Sequence, residues 1–241
     1  MPIPGRVFRP LRVDQLRLAG GTFSREGAGS GKSKMIELVR KTAPFPAWSD
    51  VKSFSLHDLR PLRPISTTVT HEQARLLVTA GGCQMRQGTR SQVLREGQFV
   101  PLEPGEVLLE SGGTAQAVIF EGSWGDELGG CGIFRADNVA APADKGDPVT
   151  YAKHTNIDAH YHDCQEFWLL LEGAAEVVVS GQHLTMSPGD CLPIPMGAMH
   201  DMPDAPQPVK AVYFETTLRG RKRTGHLWQH THGPAVQMEG K

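Results

Sequence analysis

The chain has 241 residues, and its 25 Lys and Arg against 26 Asp and Glu leave a formal net charge of −1. That balance gives no general reason to expect nucleic acid or an anionic membrane as a partner, and no apolar run approaches the roughly 18–20 residues that span a bilayer. With 27 Gly and 18 Pro and few strongly helical stretches, the composition points to an all-β protein of short strands and tight turns. The N-terminus, MPIPGRVFRPLRVDQ, lacks the apolar stretch of a secretory signal, so a cytoplasmic home is expected. Cys83, Cys131, Cys164 and Cys191 form no CxxC pair and are read as reduced thiols.

Residues 1–50 read as an irregular segment. Within it, Gly27-Ala-Gly-Ser-Gly-Lys-Ser33 invites a phosphate-loop reading, but the position that needs the first Gly is Glu26, and no buried strand precedes it. A Gly/Ser loop is the better account. Met35 to Lys41 is expected to make two turns of helix, stopped by Pro44 and Pro46.

From residue 51 the chain reads as strands, with an internal repeat. Gly97-Gln-Phe-Val-Pro-Leu-Glu-Pro-Gly-Glu106 matches Gly181-Gln-His-Leu-Thr-Met-Ser-Pro-Gly-Asp190, and Val93-Leu94 falls opposite Val177-Val178, all at an offset of 84. Ala117-Val-Ile-Phe-Glu121 matches Ala211-Val-Tyr-Phe-Glu215 at 94. The expectation is a duplicated unit in residues 51–125 and 126–241, with the two Pro-Gly turns equivalent and ten residues gained in the second copy around His200.

Residues 160–173 carry the chemistry. Side chains at i and i+2 of an extended strand share a face, so His160 and His162 point the same way. Glu166 opens the next apolar strand, and the Pro195, Gly197 turn positions His200. Three histidines and a carboxylate converging in this way predict one bound divalent metal ion. Buried without it, they would leave polar groups unsatisfied at about 1–3 kcal/mol each.

His160-x-His162-x3-Glu166-x6-Gly173 resembles the first motif of the cupin superfamily, and Gly189-x5-Pro195-x-Gly197-x2-His200 resembles the second. His154 stands where the first motif usually has Gly, and Asp204 where the second often has Asn. The resemblance implies a double-stranded β-helix, or jelly-roll, with the metal inside, held by His160, His162, Glu166 and His200. Together with the repeat it implies a bicupin of two tandem β-barrel halves, the first degenerate: no HxH precedes Arg75, and Ser111-Gly-Gly-Thr114 replaces the loop that bears His200.

Four such ligands leave two octahedral positions open, which favours Fe, then Mn, Ni or Co, over the four-coordinate habit of Zn. The expected activity is that of a non-haem Fe(II) dioxygenase or related oxidoreductase acting on a small oxygenated metabolite. The alternatives are an isomerase, epimerase or lyase working through an enediolate, and a metal-bearing binding protein without turnover. Glu166, Tyr161 and His154 are the candidate catalytic residues, with Glu172 a further candidate base, and Trp168, Met196 and Cys164 the candidate pocket lining. The run Arg219-Gly-Arg-Lys-Arg223 reads as a solvated loop before a last strand, Gly225-His-Leu-Trp228, and His226, His230 and His232 as a polar tail rather than a second metal site. A small-molecule substrate is expected, with no nucleic acid or membrane partner, and a homodimer through edge strands is open.

Overall fold

The computed structural model describes residues 35–40, 43–125, 129–143, 145–217 and 220–238, all in one compact unit. Residues 27–33 and Arg219 lie outside them. The expected helix at Met35 does not form. Residues 35–38 are irregular, and β1 (Val39–Arg40) pairs antiparallel with Cys191 and Asp190. Gln182 holds Ile36 at both backbone atoms, accepting its N–H at 2.8 Å and donating to its carbonyl at 2.7 Å. Two turns of helix are too short to stand alone, whereas a strand edge supplies unpaired backbone groups that capture such a segment.

The first half is a sandwich of two four-stranded sheets. One runs β2 (Val51–Leu59), β9 (Ala115–Gly122), β4 (Gln73–Ala80), β7 (Phe99–Leu102); the other runs β3 (Ile65–Val69), β8 (Gly105–Glu110), β5 (Gly82–Gln87), β6 (Arg90–Arg95). The second half is built on two long strands, β11 (Glu166–Val179) and β14 (His200–Glu215), paired with register shifts between Leu170 and Val178. β13 (Asp190–Ile194) lies against the start of β11, β12 (Gln182–Met186) against its end, and β10 (Cys131–Ala136) against the end of β14. The fold is therefore nearly all-β jelly-roll, as composition and motifs imply. Among the described residues no helix is long and apolar enough to cross a membrane.

The same ladder is laid down twice. Ala74 pairs with Leu102 and Glu121, and Glu166 pairs with Ile194 and Glu215. The Gly97 N–H bonds the Val78 carbonyl as the Gly189 N–H bonds that of Leu170. Cys83 faces Leu94 as Ala175 faces Met186. The offset is thus 92 through residue 102 and 94 at the closing strand, so the match at 84 is one strand out of phase. Gly97 corresponds to Gly189, and the two Pro-Gly turns are not equivalent: Pro104-Gly105 joins β7 to β8, whereas Pro188-Gly189 joins β12 to β13. The loop that brings in His200, residues 195–199, answers to residues 103–104 rather than to Ser111-Gly-Gly-Thr114.

Alternation explains why β4, β9, β11 and β14 are apolar on both faces. Leu76, Val78, Ala117 and Ile119 point into the first sandwich, and Trp168, Leu170 and Ala211 into the second barrel. The intervening Leu77, Val118, Phe120, Phe167, Leu169, Val212 and Phe214 form a third core where the two halves meet. Phe120 and Phe214, equivalent in the repeat, stack there with centroids 4.8 Å apart.

Gly173 lets β11 bend from one layer of the barrel into the other. Its φ is +87°, and a Cβ there would lie 2.1 Å from the Pro208 carbonyl oxygen. Gly181, at φ +82°, would place a Cβ in open space. Backbone strain of about 1–3 kcal/mol is common to both, so Gly173→Ala is expected to lose stability well beyond that range and Gly181→Ala to stay within it. Urea denaturation of the two variants checks the difference.

Candidate metal centre

Each histidine is oriented by its own backbone environment. His160 and His200 exchange both main-chain hydrogen bonds, at 3.1 and 2.8 Å, which sets their side chains on one face. The Gly197 N–H bonds the His162 carbonyl at 2.8 Å and ties the Pro195–Gly197 turn to the same strand. The Nδ1 atoms of His160, His162 and His200 face the carbonyls of Asp158, Gly225 and Ala198 at 2.6, 3.1 and 2.9 Å. Nδ1 therefore carries the proton, and each Nε2 presents a lone pair, the tautomer a metal ligand needs. Glu166 shares the inward face of β11 with Trp168, whose Nε1–H donates to Glu166 Oε1 at 2.7 Å and leaves Oε2 for other use.

These four free atoms converge. Glu166 Oε2 lies 2.9 Å from His200 Nε2 and 3.1 Å from His162 Nε2, and the Nε2 atoms of His160 and His162 are 3.0 Å apart. All four ligand atoms lie within 4.8 Å of one another, and all four residues are buried. No well-directed hydrogen bond serves Glu166 Oε2 or His200 Nε2. Lone pairs turned on one another in a buried pocket repel unless a cation sits among them, so the group can hold a metal ion. Burial, with the charge of His200, pushes His160 down to about 2. Burial also opposes a charge on His162, but the adjacent Glu166 outweighs it and raises that imidazole. Burial works against ionised Glu166 too, yet His162 and His200 hold it well below the usual carboxylate range.

A cavity of about 640 Å³ opens onto the group, lined by His160, Glu166 and Trp168 together with Phe134, Tyr213 and Arg223, among others. Trp168 is a wall residue, as its place beside Glu166 implies. Met196 is not among the lining residues; its carbonyl accepts the Met238 N–H at 2.8 Å on the far side of the turn. Cys164 is buried, its Sγ grouped with His162 and Glu215 and its thiol pushed up by burial. Neither candidate base Tyr161 nor His154 lines the cavity. Tyr161 alternates away from its two histidine neighbours and donates to the Gly233 carbonyl at 3.1 Å. His154 is exposed, its backbone spent on Pro203 and Val139, and Glu172 is exposed as well.

Three residues here escape the motifs. Glu215 is the direct ladder partner of Glu166 and faces the same interior, with Oε1 3.4 Å from His162 Nδ1. Burial and the charge of Glu166 raise its carboxyl. Alternation along Ala211-Val-Tyr-Phe-Glu215 carried the signal, since Ala211 and Tyr213 face inward. Arg223 binds Glu215 Oε2 through Nε at 2.9 Å, and the His226 ring stacks on His160 with centroids 4.0 Å apart. The basic run is a solvated loop only in part: Gly220, Arg221 and Lys222 are exposed, whereas Arg223 lines the cavity. Nor does a last strand follow it. Only Leu227 bridges, to Tyr161, and a short helix, α1 (Gln229–His232), comes next with its first N–H groups on Asp147. His230 bonds Asp147 and His232 bonds Thr231, so the tail histidines do not gather into a second cluster.

A family model described as the cupin domain matches residues 149–215. The protein of Sinorhizobium fredii described as uncharacterized protein y4oW is 45% identical over 207 residues, covering 85% of this chain and 95% of its own length. Among solved structures, a cupin 2 conserved barrel domain protein from Leptotrichia buccalis is 13% identical over 78% of this chain and 92% of its own, with a TM-score of 0.39. AerE from Microcystis aeruginosa is 10% identical over 70% of this chain and 88% of its own, with a TM-score of 0.49. The matched stretch coincides with the barrel that gathers the His-His-Glu-His group, so residues 149–215 are similar to a cupin domain, and the chain belongs to one family with the Sinorhizobium fredii protein.

Proposed function

We propose that this protein is a metal-dependent enzyme that transfers a proton on a small oxygenated metabolite, as an isomerase, epimerase or lyase does. The observation that carries this reading is Glu215, a second carboxylate beside the metal group that faces the cavity and is not needed as a ligand. An ion held by His160, His162, Glu166 and His200 supplies Lewis acidity toward a substrate carbonyl, with Fe, Mn, Ni and Co suited to leaving positions open. Glu215 is placed to take a proton from the adjacent carbon and to return it. Trp168 fixes Glu166, and the carbonyls of Asp158, Gly225 and Ala198 fix the imidazoles. Phe134, Ile157 and Trp168 supply the apolar part of the cavity wall.

The two halves are read as a bicupin whose first barrel has lost the chemistry. Val107 pairs with Thr67 where His200 pairs with His160. Following the ladders, the ligand positions in the first half hold Thr67, Val69, Ala74 and Val107, the last three packed in its core. That half serves as a fixed wall for the second.

His162→Ala and Glu166→Ala are each expected to abolish metal binding in protein purified without chelators, read by elemental analysis. Trp168→Phe is expected to keep the stoichiometry and weaken affinity roughly 10- to 100-fold, the usual effect of removing a group that orients a ligand. Metal and proton compete for the same Nε2 atoms. His162 titrates above, and Glu166 well below, their ordinary values. Acidification is therefore expected to release the metal through the histidine range, before the carboxylate range is reached, as followed by competition with a fluorescent chelator.

The reaction is tested by incubating metal-loaded protein with a panel of hydroxy ketones and hydroxy acids in D₂O and following deuterium incorporation by NMR. Glu215→Gln is expected to slow exchange by about 10²–10⁴-fold with metal content unchanged. Oxygen uptake with no exchange would overturn the proton-transfer reading in favour of the dioxygenase.

A further inference from the structure

The run ending in Arg223 is built into the site by several bonds. Asp163, next to the ligand His162, accepts the Thr224 N–H at 2.8 Å, the Thr224 hydroxyl at 2.9 Å and Arg221 Nη2 at 3.1 Å. One residue further on, the Gly225 carbonyl orients His162. The strap from Arg221 to Gly225 is thus fixed to the loop that carries the ligands. Among the described residues, Arg223 is the one Lys or Arg that lines the cavity.

Its guanidinium is only half used. Glu215 takes Nε, which leaves the edge formed by Nη1 and Nη2, the edge whose spacing matches a carboxylate. The rest of the wall is apolar at Phe134, Ile157 and Trp168 and carries uncharged polar groups at Tyr213 and Thr224, so the fixed positive charge on it is that of Arg223. The charge count points the same way. Among the described residues two carboxylates and one guanidinium line the cavity, and a divalent ion would bring these groups to a net charge of about +1, complementary to a monoanion.

We propose that the substrates are small hydroxy- or oxo-carboxylic acids, with the carboxylate gripped by the free edge of Arg223 and the hydroxyl or oxo oxygen directed at the metal centre. Arg223 is then the residue that decides for acids over neutral polyols and ketones. This rests on the metal-dependent reading of the site, and the test separates the two.

The probes are 3-hydroxybutyrate and its uncharged counterpart butane-1,3-diol, titrated calorimetrically into Mn(II)-loaded protein, with metal content measured on the same samples. The acid is expected to bind about 10- to 100-fold more tightly, the range for hydrogen bonds to a charged partner. Arg223→Gln is expected to remove that preference with one ion per chain retained, and Arg223→Lys to keep part of it, since the charge stays and the fork is lost. Arg86→Gln, which pairs with Glu110 in the first half and does not line this cavity, is expected to change nothing. Equal binding of the two probes, no binding of either, or an equal loss of preference in Arg86→Gln would overturn the assignment. A wild-type protein that takes up no metal would instead refute the metal reading; a preference for the acid that persists there would still support Arg223 as its anchor, and its absence would overturn both.

Discussion

The structure of the centre depends on three hydrogen bonds that never touch a substrate: those from the Nδ1 atoms of His160, His162 and His200 to main-chain carbonyls. They fix the tautomer of each ring and turn three lone pairs toward Glu166 Oε2 in the buried interior of the barrel. Once that is done, the remaining requirement is a cation. The carbonyls come from three separate places, the approach to the first ligand strand, the turn before β14 and the strap from the C-terminal region. The centre is complete only when all three have folded against the barrel.

The four candidate ligands could be read from the sequence because each lies on a strand or at a tight turn, where alternation and the Pro/Gly pattern fix direction. Glu215, Arg223 and His226 could not be read in the same way. Glu215 has strand parity in its favour, but parity alone does not tell which of two layers meets the metal; that needs the pairing of Glu166 with Glu215. Arg223 and His226 sit on an irregular segment placed by Asp163, a contact that spans some sixty residues of sequence and leaves no periodic trace. His154 and Tyr161 failed for the opposite reason. Their chemistry is suitable and their sequence position close, but one is exposed and the other alternates outward.

The repeat shows how matching turn sequences can suggest a register that the strand ladders do not share. Gly-Gln and Pro-Gly recur wherever a hairpin must turn, so they align turns of similar shape whether or not these occupy equivalent places. The β-ladder is a stricter witness, because a strand is identified by its two neighbours rather than by its turn. By that measure Gly97 belongs with Gly189, and the second copy has gained two residues net between β13 and its last strand, not ten. The loop that carries His200 is longer by three residues than its counterpart at residues 103–104, and that local length is what lets a side chain reach inward.

The stacked pair of Phe120 and Phe214 has a consequence of its own. Residues at matching positions of a repeat touch one another only near an axis that relates the two copies, as in the self-complementary contact of a twofold dimer. In a dimer of identical chains any substitution there is made twice, against itself. In a single chain the two partners are encoded separately, so one ring can change while the other is kept. The two sides of this surface do differ: Arg75 packs over Phe214 with its guanidinium carbon 5.7 Å from the ring centroid, while the matching position in the other half is a phenylalanine, Phe167.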